Sequence, residues 1–464
     1  MDTRTERDAL GEVAVPEAAY YGAATQRAKE NFPIGSEKMP LEVIRAMAWI
    51  KKAAAQAHEE MGLLSHEKAQ AIQEAADEVL AGKFDDQFPL VIWQTGSGTQ
   101  SHMNVNEVIA NRAIEKLGGQ RGTKTPVHPN DDVNRSQSSN DVFPTAMHVA
   151  AMLLIQQKLL PALEAFQKEL ENKAQAFSDI VKIGRTHLMD ATPLTLGQEF
   201  SGYASQIEQG ISALKNTFPH LRQLALGGTA VGTGLNAPKG FAEKAIAHLN
   251  HYTGESFKPA PNRFEALASS DTMVEVSGAL KRLAASFMKI ANDIRLMGSG
   301  PRSGFSELVL PANEPGSSIM PGKVNPTQAE AMSQAAVQVL GNDAAIGVAA
   351  SLGNFELNVY RPLIIYNLLQ SIHLLAGTAT SFTDRCLKGL SPNHKRIEEH
   401  LQRSLMLATA LNTHLGYDKA AQIVQKAHNE DLTLKEAALS LGLLDAATFD
   451  ALIDPKHMLG DSKI

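Results

Sequence analysis

The sequence predicts a mostly α-helical protein built around a bundle of long helices. The clearest sign is a heptad seam, in which apolar residues recur at steps of three and four: Met273, Val276, Leu280, Leu283, Phe287, Ile290 and Ile294. This spacing predicts a helix with one apolar stripe that must be buried against other helices. The composition agrees, because 44% hydrophobic but only 5% aromatic residues favour helices over a β-sandwich. We expect this bundle to continue into other subunits; the alternative is a bundle completed within one chain, which the seam alone does not exclude.

Three consecutive segments differ in how often Gly, Pro and Asn interrupt their helical patterns. We expect each segment to be a domain. Residues 1–137 mix short helical patterns with Gly, Pro and Asn breaks and predict a mainly helical N-terminal domain. Residues 138–390 predict the central long-helix bundle, and residues 391–464 predict a small helical C-terminal domain. The predicted helices are Leu41–Met61, Ser65–Ala81, Thr145–Phe177, Leu194–Thr217, Met273–Ile294, Pro326–Ala350, Pro362–Cys386, Ile397–Leu411 and Leu434–Leu444.

Charge and cysteine content exclude several classes of protein. The chain of 464 residues has a formal charge of −7, whereas a general nucleic-acid binder needs a basic surface. Its one cysteine, Cys386, excludes an intrachain disulfide, an iron–sulfur cluster and a cysteine-rich zinc site. The first residues are polar, and no apolar run reaches the ~18 residues of a membrane span. We therefore expect a cytoplasmic protein with no nucleic-acid and no membrane partner.

The segment Gly316–Pro326, with the sequence GSSIMPGKVNP, has the composition of an anion-binding loop. Its glycines allow unusual backbone angles, Ser317 and Ser318 offer hydroxyls, and Lys323 supplies a positive charge. Asn325-Pro326 predicts an N-cap followed by the first residue of a helix. Because a helix N-terminus beside a lysine attracts anions, a functional loop is favoured over a flexible surface loop.

His187, in the sequence Gly184-Arg185-Thr186-His187, is a candidate general acid or base, since the pKa of a histidine lies near neutrality. The following Thr192-Pro193 predicts another helix start. A carboxylate partner would strengthen the case for His187, and Glu330, in the first turns of the helix after Pro326, is the candidate. The sequence does not show whether the two side chains meet.

Two further segments, Thr95–Ser101 and Ser136–Asn140, are dense in small hydrogen-bond donors that suit a carboxylate. Each alone is as consistent with a turn as with a binding site. Several cofactor and catalytic motifs are missing: the first segment lacks the Lys-Ser/Thr end of a P-loop, no His-Glu-x-x-His occurs, and Gly227–Gly234 does not fit a dinucleotide fingerprint. We therefore expect no metal, nucleotide or flavin cofactor.

These segments together resemble the fumarase/aspartase superfamily, and most closely the class II fumarases. Gly316–Pro326 is similar to the superfamily signature, and the resemblance extends along nearly the whole chain. The other similar segments are Val15-Pro16, Thr95–Asn106, His128–Asn134, Ser136–Thr145, Gly184–Thr195, Gly227–Asn236 and Asn354–Pro362. The resemblance implies a fold of three mostly helical domains. It also implies a homotetramer in which four subunits share the long-helix bundle and each active site is built from three chains.

Within the superfamily, the main alternative is aspartate ammonia-lyase. Three positions favour the fumarases: aspartases typically have Gln in place of His187, Ala in place of Gly322 and His in place of Asp132. Val142-Phe143-Pro144 is also similar to fumarases. The resemblance therefore implies reversible anti addition of water to fumarate, giving (S)-malate. Recruitment as a structural protein, as in the lens, is the non-enzyme alternative.

The resemblance also implies roles for individual residues. Ser317 is the base that takes the proton from carbon, and His187, oriented by Glu330, protonates the departing hydroxyl. How the acid and base roles divide between Ser317 and His187 stays open. The residues implied to bind substrate are Ser97, Gly98, Thr99, Ser138, Ser139, Asn140, Thr186, Ser318, Lys323, Val324 and Asn325.

A second, peripheral dicarboxylate site is implied around His128. Its residues are Thr125, His128, Pro129, Asn130 and Asp131. Relatives often have an arginine where this chain has Thr125, with Lys124 beside it, so the affinity of this site is uncertain from the sequence.

Overall fold

In the computed structural model, residues 2–460 are described. Their α-helices are α1 (Ala23–Asn31), α2 (Leu41–Glu60), α3 (His66–Leu80), α4 (Thr99–Lys116), α5 (Ser139–Leu154), α6 (Leu160–Ala176), α7 (Leu196–Lys215), α8 (Phe218–Leu221), α9 (Phe241–Thr253), α10 (Arg263–Ala268), α11 (Asp271–Met297), α12 (Thr327–Ser351), α13 (Arg361–Phe382), α14 (His394–Arg403), α15 (Asn412–Leu415), α16 (Tyr417–Asn429), α17 (Leu434–Ser440) and α18 (Ala446–Leu452). Their strands are β1 (Thr3–Asp8), β2 (Gly11–Pro16), β3 (Val181–Thr186), β4 (Met189–Thr195), β5 (Gln223–Leu224), β6 (Lys258–Pro259), β7 (Leu308–Val309) and β8 (Ser391–Pro392). The mostly helical fold class is therefore confirmed.

One compact unit comprises Met1–Pro161, Ser212–Arg282 and Val337–Leu375. Within it, α2 is the central element and packs against α3, α5 and α9, while α4 packs against α3. The buried side of α2 includes Ile44, Met47 and Ile50, which explains why this helix forms where the apolar pattern predicts it. The strands β1 and β2 form an antiparallel hairpin in this unit.

The other compact unit comprises Ala162–Ile211, Leu283–Ala336 and Ala376–Ile464. Its aromatic core includes Phe166, whose ring packs edge-on against Phe287 at 5.4 Å and Phe382 at 6.0 Å. A second apolar cluster joins Ile183 of β3 to Leu411 and Ile423 near the C-terminus. The predicted division into three consecutive domains stays a prediction.

The heptad seam is buried within a single chain. All seven of its apolar residues, Met273, Val276, Leu280, Leu283, Phe287, Ile290 and Ile294, lie inside the fold, with exposures of 1% or less. These side chains are therefore buried by their own protomer. The seam is thus no evidence for a bundle that is shared between subunits.

The helix predictions at Thr192-Pro193 and Ile397–Leu411 are wrong. Thr192-Pro193 does not begin a helix, because Pro193 lies in β4 opposite Ile183 of β3. A two-stranded sheet leaves one side of each strand without a partner, so proline is tolerated there. The predicted helix Ile397–Leu411 is interrupted at Ser404, which is extended and whose hydroxyl accepts a hydrogen bond from Met406 N at 3.3 Å.

Two helical stretches, Ser139–Ala176 and Arg361–Leu387, are long and apolar enough to cross a membrane by length and composition. Polar residues interrupt both stretches, so neither is an unbroken apolar run of the kind that the sequence analysis excludes. About half of each apolar window, 56% and 50%, is buried inside the fold. Core helices of soluble proteins meet the same criterion, so these stretches are weak evidence for a membrane.

Candidate active site

The first donor-rich segment forms a tight turn that leads into α4. Gly98 has a φ of 78°, and a Cβ there would lie 2.2 Å from the ring of Phe143, so only glycine fits. The turn brings the hydroxyls of Ser97 and Thr99 to 2.8 Å from each other. Two candidate substrate-binding hydroxyls are thus adjacent at the N-terminus of a helix, where an anion is favoured.

The second donor-rich segment is the N-cap of α5. Ser138 forms a capping box with Asp141: Asn140 N donates to the Ser138 hydroxyl at 3.2 Å, and Ser138 N donates to Asp141 Oδ1 at 2.9 Å. The other oxygen of Asp141 accepts hydrogen bonds from Gly227 N and Thr229 N, both at 3.0 Å. Burial raises the pKa of Asp141 to about 6, although these backbone donors favour its ionised form. Asp141 therefore fastens the Gly227–Asn236 loop to the start of α5.

Arg361, the first residue of α13, brings the two donor-rich segments together. Its backbone N donates to Gly96 O at 3.1 Å, and its Nη1 donates to Asn140 O at 3.0 Å. The Asn140 amide in turn donates to Ala230 O at 2.9 Å. Arg361 is buried, and this burial lowers the pKa of its guanidinium to about 10. Arg361 thus links the segments that carry Ser97–Thr99 and Ser138–Asn140, and Ser138 lines a cavity of about 850 Å³.

His187 lies at the exposed tip of the β3–β4 hairpin, directly after Thr186. His187 and Leu188 form the two-residue turn with φ values of 58° and 61°. Such a turn matches the twist of a hairpin but is unusual for residues other than Gly, Asn and Asp. Most of Gly184–Thr192 thus lies in strands, where the sequence predicts only a helix start at Thr192-Pro193.

Strand β3 is held close to the tip of this hairpin by an ion pair with a buried carboxylate. Arg185 donates from both terminal nitrogens to the Glu307 carboxylate, at 2.9 and 2.8 Å, and Lys182 lies 3.3 Å from the same carboxylate. Burial raises the pKa of Glu307, but the hydrogen bond from Arg185 and the charge of Lys182 outweigh it and leave the pKa below its ordinary value. The two parallel hydrogen bonds fix the Arg185 side chain relative to Glu307. They therefore hold the strand that leads to His187.

The segment Gly316–Asn325 closes on itself as a loop. Gly316 N donates to Lys323 O at 3.0 Å, and the side-chain amide of Asn325 donates to Gly316 O. Inside the loop, the Ser317 hydroxyl accepts hydrogen bonds from Ile319 N at 3.2 Å and Met320 N at 2.9 Å. These two donors would stabilise negative charge on the serine oxygen, which is the chemistry that an activated serine needs.

The end of this loop differs from the prediction in one detail. Helix α12 begins at Thr327, one residue later than expected, so Asn325 is used to close the loop instead of capping the helix. Ser318, Lys323 and Val324 are exposed on the loop, beside a cavity of about 460 Å³. Glu330 is exposed in the first turn of α12. Among residues 2–460 of this one chain, His187 and Glu330 form no hydrogen bond or ion pair, and their pairing stays a prediction.

The residues of the peripheral site surround a short turn at Pro129–Val133. The His128 ring accepts hydrogen bonds at Nδ1 from Asn130 N and Asp131 N, both at 3.1 Å. A cavity of about 640 Å³ is lined by His128, Pro129 and Asn130 together with Lys124 and Arg7. Thr125 is exposed next to this cavity, so the cations there come from Lys124 and Arg7.

No cluster of three or more His, Cys, Asp or Glu side chains that could hold a metal ion occurs among the described residues. The thiol of Cys386 is buried, and burial raises its pKa to about 12. This cysteine therefore stays protonated and unreactive at neutral pH.

Two family models match the chain: one described as Lyase covers residues 11–341, and one described as Fumarase C C-terminus covers residues 407–460. The fumarate hydratase class II of Thermosynechococcus vestitus is 62% identical over 460 residues, which is 99% of this chain and 98% of that protein. The chain belongs to the class II fumarase family. The fumarate hydratase class II of Ralstonia nicotianae is 60% identical over 99% of this chain and 100% of that protein. The crystal structure of class II fumarase from Schistosoma mansoni matches with a TM-score of 0.97 and 44% identity, covering 100% of both chains.

Four residues that support the donor-rich turns were not identified from the sequence: Asp141, Arg361, His102, whose Nδ1 lies 2.7 Å from the Ser139 hydroxyl, and Lys51, which contacts His102 Nε2. Asp141 carries a recognisable signal, since a serine followed three residues later by an acid is a capping box. Lys51 follows the buried residue Met47 by four positions, on the apolar side of α2, where a charged residue is unusual. Arg361 and His102 carry no local signal, because their partners are distant in the chain.

Proposed function

We propose that this chain is a metal-independent fumarate hydratase, which catalyses the reversible anti hydration of fumarate to (S)-malate in the tricarboxylic acid cycle. The observation that carries the proposal is the match over nearly its whole length to proteins named fumarate hydratase class II, at 57–62% identity. The family acts on small dicarboxylates, and the donor-rich turns of this chain suit such substrates.

The difficult step is removal of a proton from the carbon next to a carboxylate. That carboxylate must take up extra negative charge, so catalysis depends on donors and cations placed around it. We assign Ser317 as the base, since two backbone N–H groups already point at its oxygen. Lys323 and Asn325 would stabilise the charged intermediate, and His187, oriented by Glu330, would protonate the departing hydroxyl.

We also propose that the chain forms a homotetramer with each site shared by three chains. Several side chains support this, because they are apolar, exposed and next to candidate catalytic residues: Leu188 is 70% exposed beside His187, and Ile319 is 83% exposed beside Ser317. On α12, Val337, Gly341, Ala344 and Val348 are exposed at steps of four, three and four. An exposed apolar stripe with this spacing is suited to packing against a helix of another subunit.

Mixed tetramers test this sharing. His187→Asn and Ser317→Ala tetramers should each be nearly inactive. If the two residues of one site come from different chains, random mixing of the variants in equal amounts should restore about a quarter of the sites. Absence of any recovery in mixed tetramers would place both residues of a site on one chain.

The activity itself is tested with purified protein, malate and a chelator. Formation of fumarate, followed by its ultraviolet absorbance, is the expected result, and aspartate should give none. Fumarate from aspartate but not from malate would identify an ammonia-lyase and refute the interpretation of His187. A folded tetramer that is inert towards both would favour a recruited structural protein.

Two further assignments belong to the same proposal. The His128 cavity would bind a second dicarboxylate through Lys124 and Arg7 instead of the arginine that relatives often have at position 125. The protein would work in the cytoplasm without a cofactor, and without nucleic-acid or membrane partners.

A further inference from the structure

A lysine is completely buried next to the donor-rich turns. Lys51 lies on α2, and its side-chain nitrogen contacts three polar atoms: Asn134 Oδ1 at 2.9 Å, Gln137 Oε1 at 2.9 Å and His102 Nε2 at 2.7 Å. The opposite side of the His102 ring, Nδ1, lies 2.7 Å from the Ser139 hydroxyl. Lys51 and His102 are buried, whereas Ser139 is partly exposed. These contacts form a chain that leads from the core to a candidate substrate-binding hydroxyl.

The orientation of both amides is fixed by backbone carbonyls. The Gln137 side-chain nitrogen donates to Arg135 O at 3.0 Å, and that of Asn134 donates to Gln137 O at 3.3 Å. Each amide therefore presents its oxygen to Lys51, and two protons of the lysine are used by these oxygens. The third contact, with His102, depends on whether the lysine carries a third proton.

A second side-chain nitrogen lies close to the same atom of the His102 ring. The side-chain nitrogen of Asn106, one turn along α4, lies 3.5 Å from the same ring atom, Nε2. With a protonated Lys51, Nε2 faces the lysine and the Asn106 nitrogen as donors and accepts, so the proton of the neutral ring is on Nδ1. Nδ1 then donates to the Ser139 oxygen, and the proton of the Ser139 hydroxyl is free to point elsewhere.

We propose that Lys51 is a positioning residue, which holds His102 in the Nδ1–H tautomer so that Ser139 donates its own proton to a substrate carboxylate. The inference rests on the proposed function, which makes Ser139 a substrate-binding residue. In this arrangement the ammonium of Lys51 has three acceptors for three protons. Without the third proton, the lone pair of the amine would accept from Nε2, and Ser139 would turn its proton towards His102 and away from the substrate.

Burial and the nearby carboxylate of Asp141 act in opposite directions on the pKa of Lys51. Burial holds the pKa of Lys51 well below its ordinary value, and the carboxylate of Asp141 on α5 offsets this only in part, so the proposal requires that Lys51 keeps its third proton despite its burial. Burial and the charge of Lys51 together lower the pKa of His102, so its ring stays neutral. The neutral ring is required, because only a neutral imidazole accepts at one nitrogen and donates at the other.

A double-mutant cycle tests the proposal in the full-length protein. Ser139→Ala should raise the KM for fumarate about tenfold or more, since a hydrogen bond to a charged group is lost. Lys51→Met should raise KM by a similar factor while kcat changes less. In the Ser139→Ala background, Lys51→Met should raise KM no further, because the Ser139 hydroxyl proton that Lys51 orients is already absent. Independent, multiplying effects of the two substitutions would overturn the proposal.

Two variants separate positioning from general destabilisation. His102→Asn keeps a donor at the place of Nδ1 and should retain a KM closer to that of the wild type than His102→Leu. Asn342→Ala removes a buried amide bonded to Gln370 and Ser371, at 2.9 and 3.0 Å, and should lower the melting temperature without raising KM. If His102→Asn and His102→Leu raise KM equally, the proposed donor to Ser139 does not exist.

The tautomer can also be measured directly in the wild-type protein, with one variant used only to assign the signals. In protein labelled with ¹⁵N-histidine, the His102 signals, identified by their loss in His102→Asn, should show a protonated Nδ1 and an unprotonated Nε2. The opposite tautomer, or a doubly protonated ring, would overturn the proposal. Because this measurement needs no substrate, it stays decisive even if the wild-type protein fails to hydrate fumarate, a result that would refute only the proposed function.

Discussion

A methyl group at Gly316 should open the Ser317 loop and reduce turnover. A Cβ at this position would lie 2.2 Å from Lys323 O and 2.9 Å from Asn325 N. Both contacts are with backbone atoms, which do not move aside as flexible side chains do. The hydrogen bonds that close the loop, from Gly316 N to Lys323 O and from the Asn325 side-chain amide to Gly316 O, join the same residues. Gly316→Ala therefore forces the two ends of the loop apart.

The size of the effect follows from this distance. Ordinary contact for a Cβ begins at 3.4 Å, so the Lys323 carbonyl must retreat by about 1 Å. A misplacement of about 1 Å in a catalytic group typically costs about 100-fold in rate. We therefore expect kcat for malate to fall about 100-fold, which corresponds to about 2.7 kcal/mol of transition-state stabilisation. The melting temperature should change little, because the loop is largely exposed.

The assay is the appearance of fumarate from malate, with Gly322→Ala as the matched control in the same loop. Gly322 has a φ of 75°, but a Cβ there meets nothing within 4 Å. The control variant therefore carries only the backbone strain of about 1 kcal/mol. Nearly normal turnover in Gly316→Ala, or an equal loss in both variants, would refute the reasoning about the closed loop.

Three further predictions concern single side chains. Ser317→Ala should remove most turnover and leave the oligomer intact by light scattering, whereas nearly normal turnover would exclude Ser317 as the base. His187→Asn should lower kcat sharply and Glu330→Gln more mildly, and a larger loss in Glu330→Gln would mean that the carboxylate does more than orient the histidine. The hydrogen bond from Arg112 lowers the pKa of Glu78 to about 2. This pair therefore stabilises the fold above pH ~4.5 and loses its effect as the pH falls towards 2. Arg112→Ala should accordingly lower the melting temperature at pH 7, and the difference from the wild type should shrink in acid; a constant difference would contradict this pKa.

The long helices could be predicted from the sequence because their signals are local. The heptad steps from Met273 to Ile294 identify α11, and the apolar side of Leu41–Met61 identifies α2. The glycines and Lys323 of the Gly316–Pro326 segment similarly indicate a loop, and the structure shows how Gly316 and Asn325 close it.

The hairpin that carries His187 could not be predicted in the same way. Thr192-Pro193 has the local pattern of a helix start, but pairing with Ile183 places Pro193 in a strand. The supports of the donor-rich turns were also missed, because they depend on distant contacts. Arg361 contacts Asn140 across 221 residues, and no local pattern indicates such a pair. The seam of α11 correctly predicted that these side chains are buried. It could not show that the burial occurs within one chain.

The most direct test of the central claim is hydration of fumarate in D₂O by the purified, chelator-treated protein, followed by ¹H NMR of the product. We predict malate with one deuterium at carbon three and as a single diastereomer, the one formed when water adds to opposite faces of the double bond. No malate, or a mixture of both diastereomers, would contradict the assignment of this chain as an enzyme that catalyses anti hydration of fumarate.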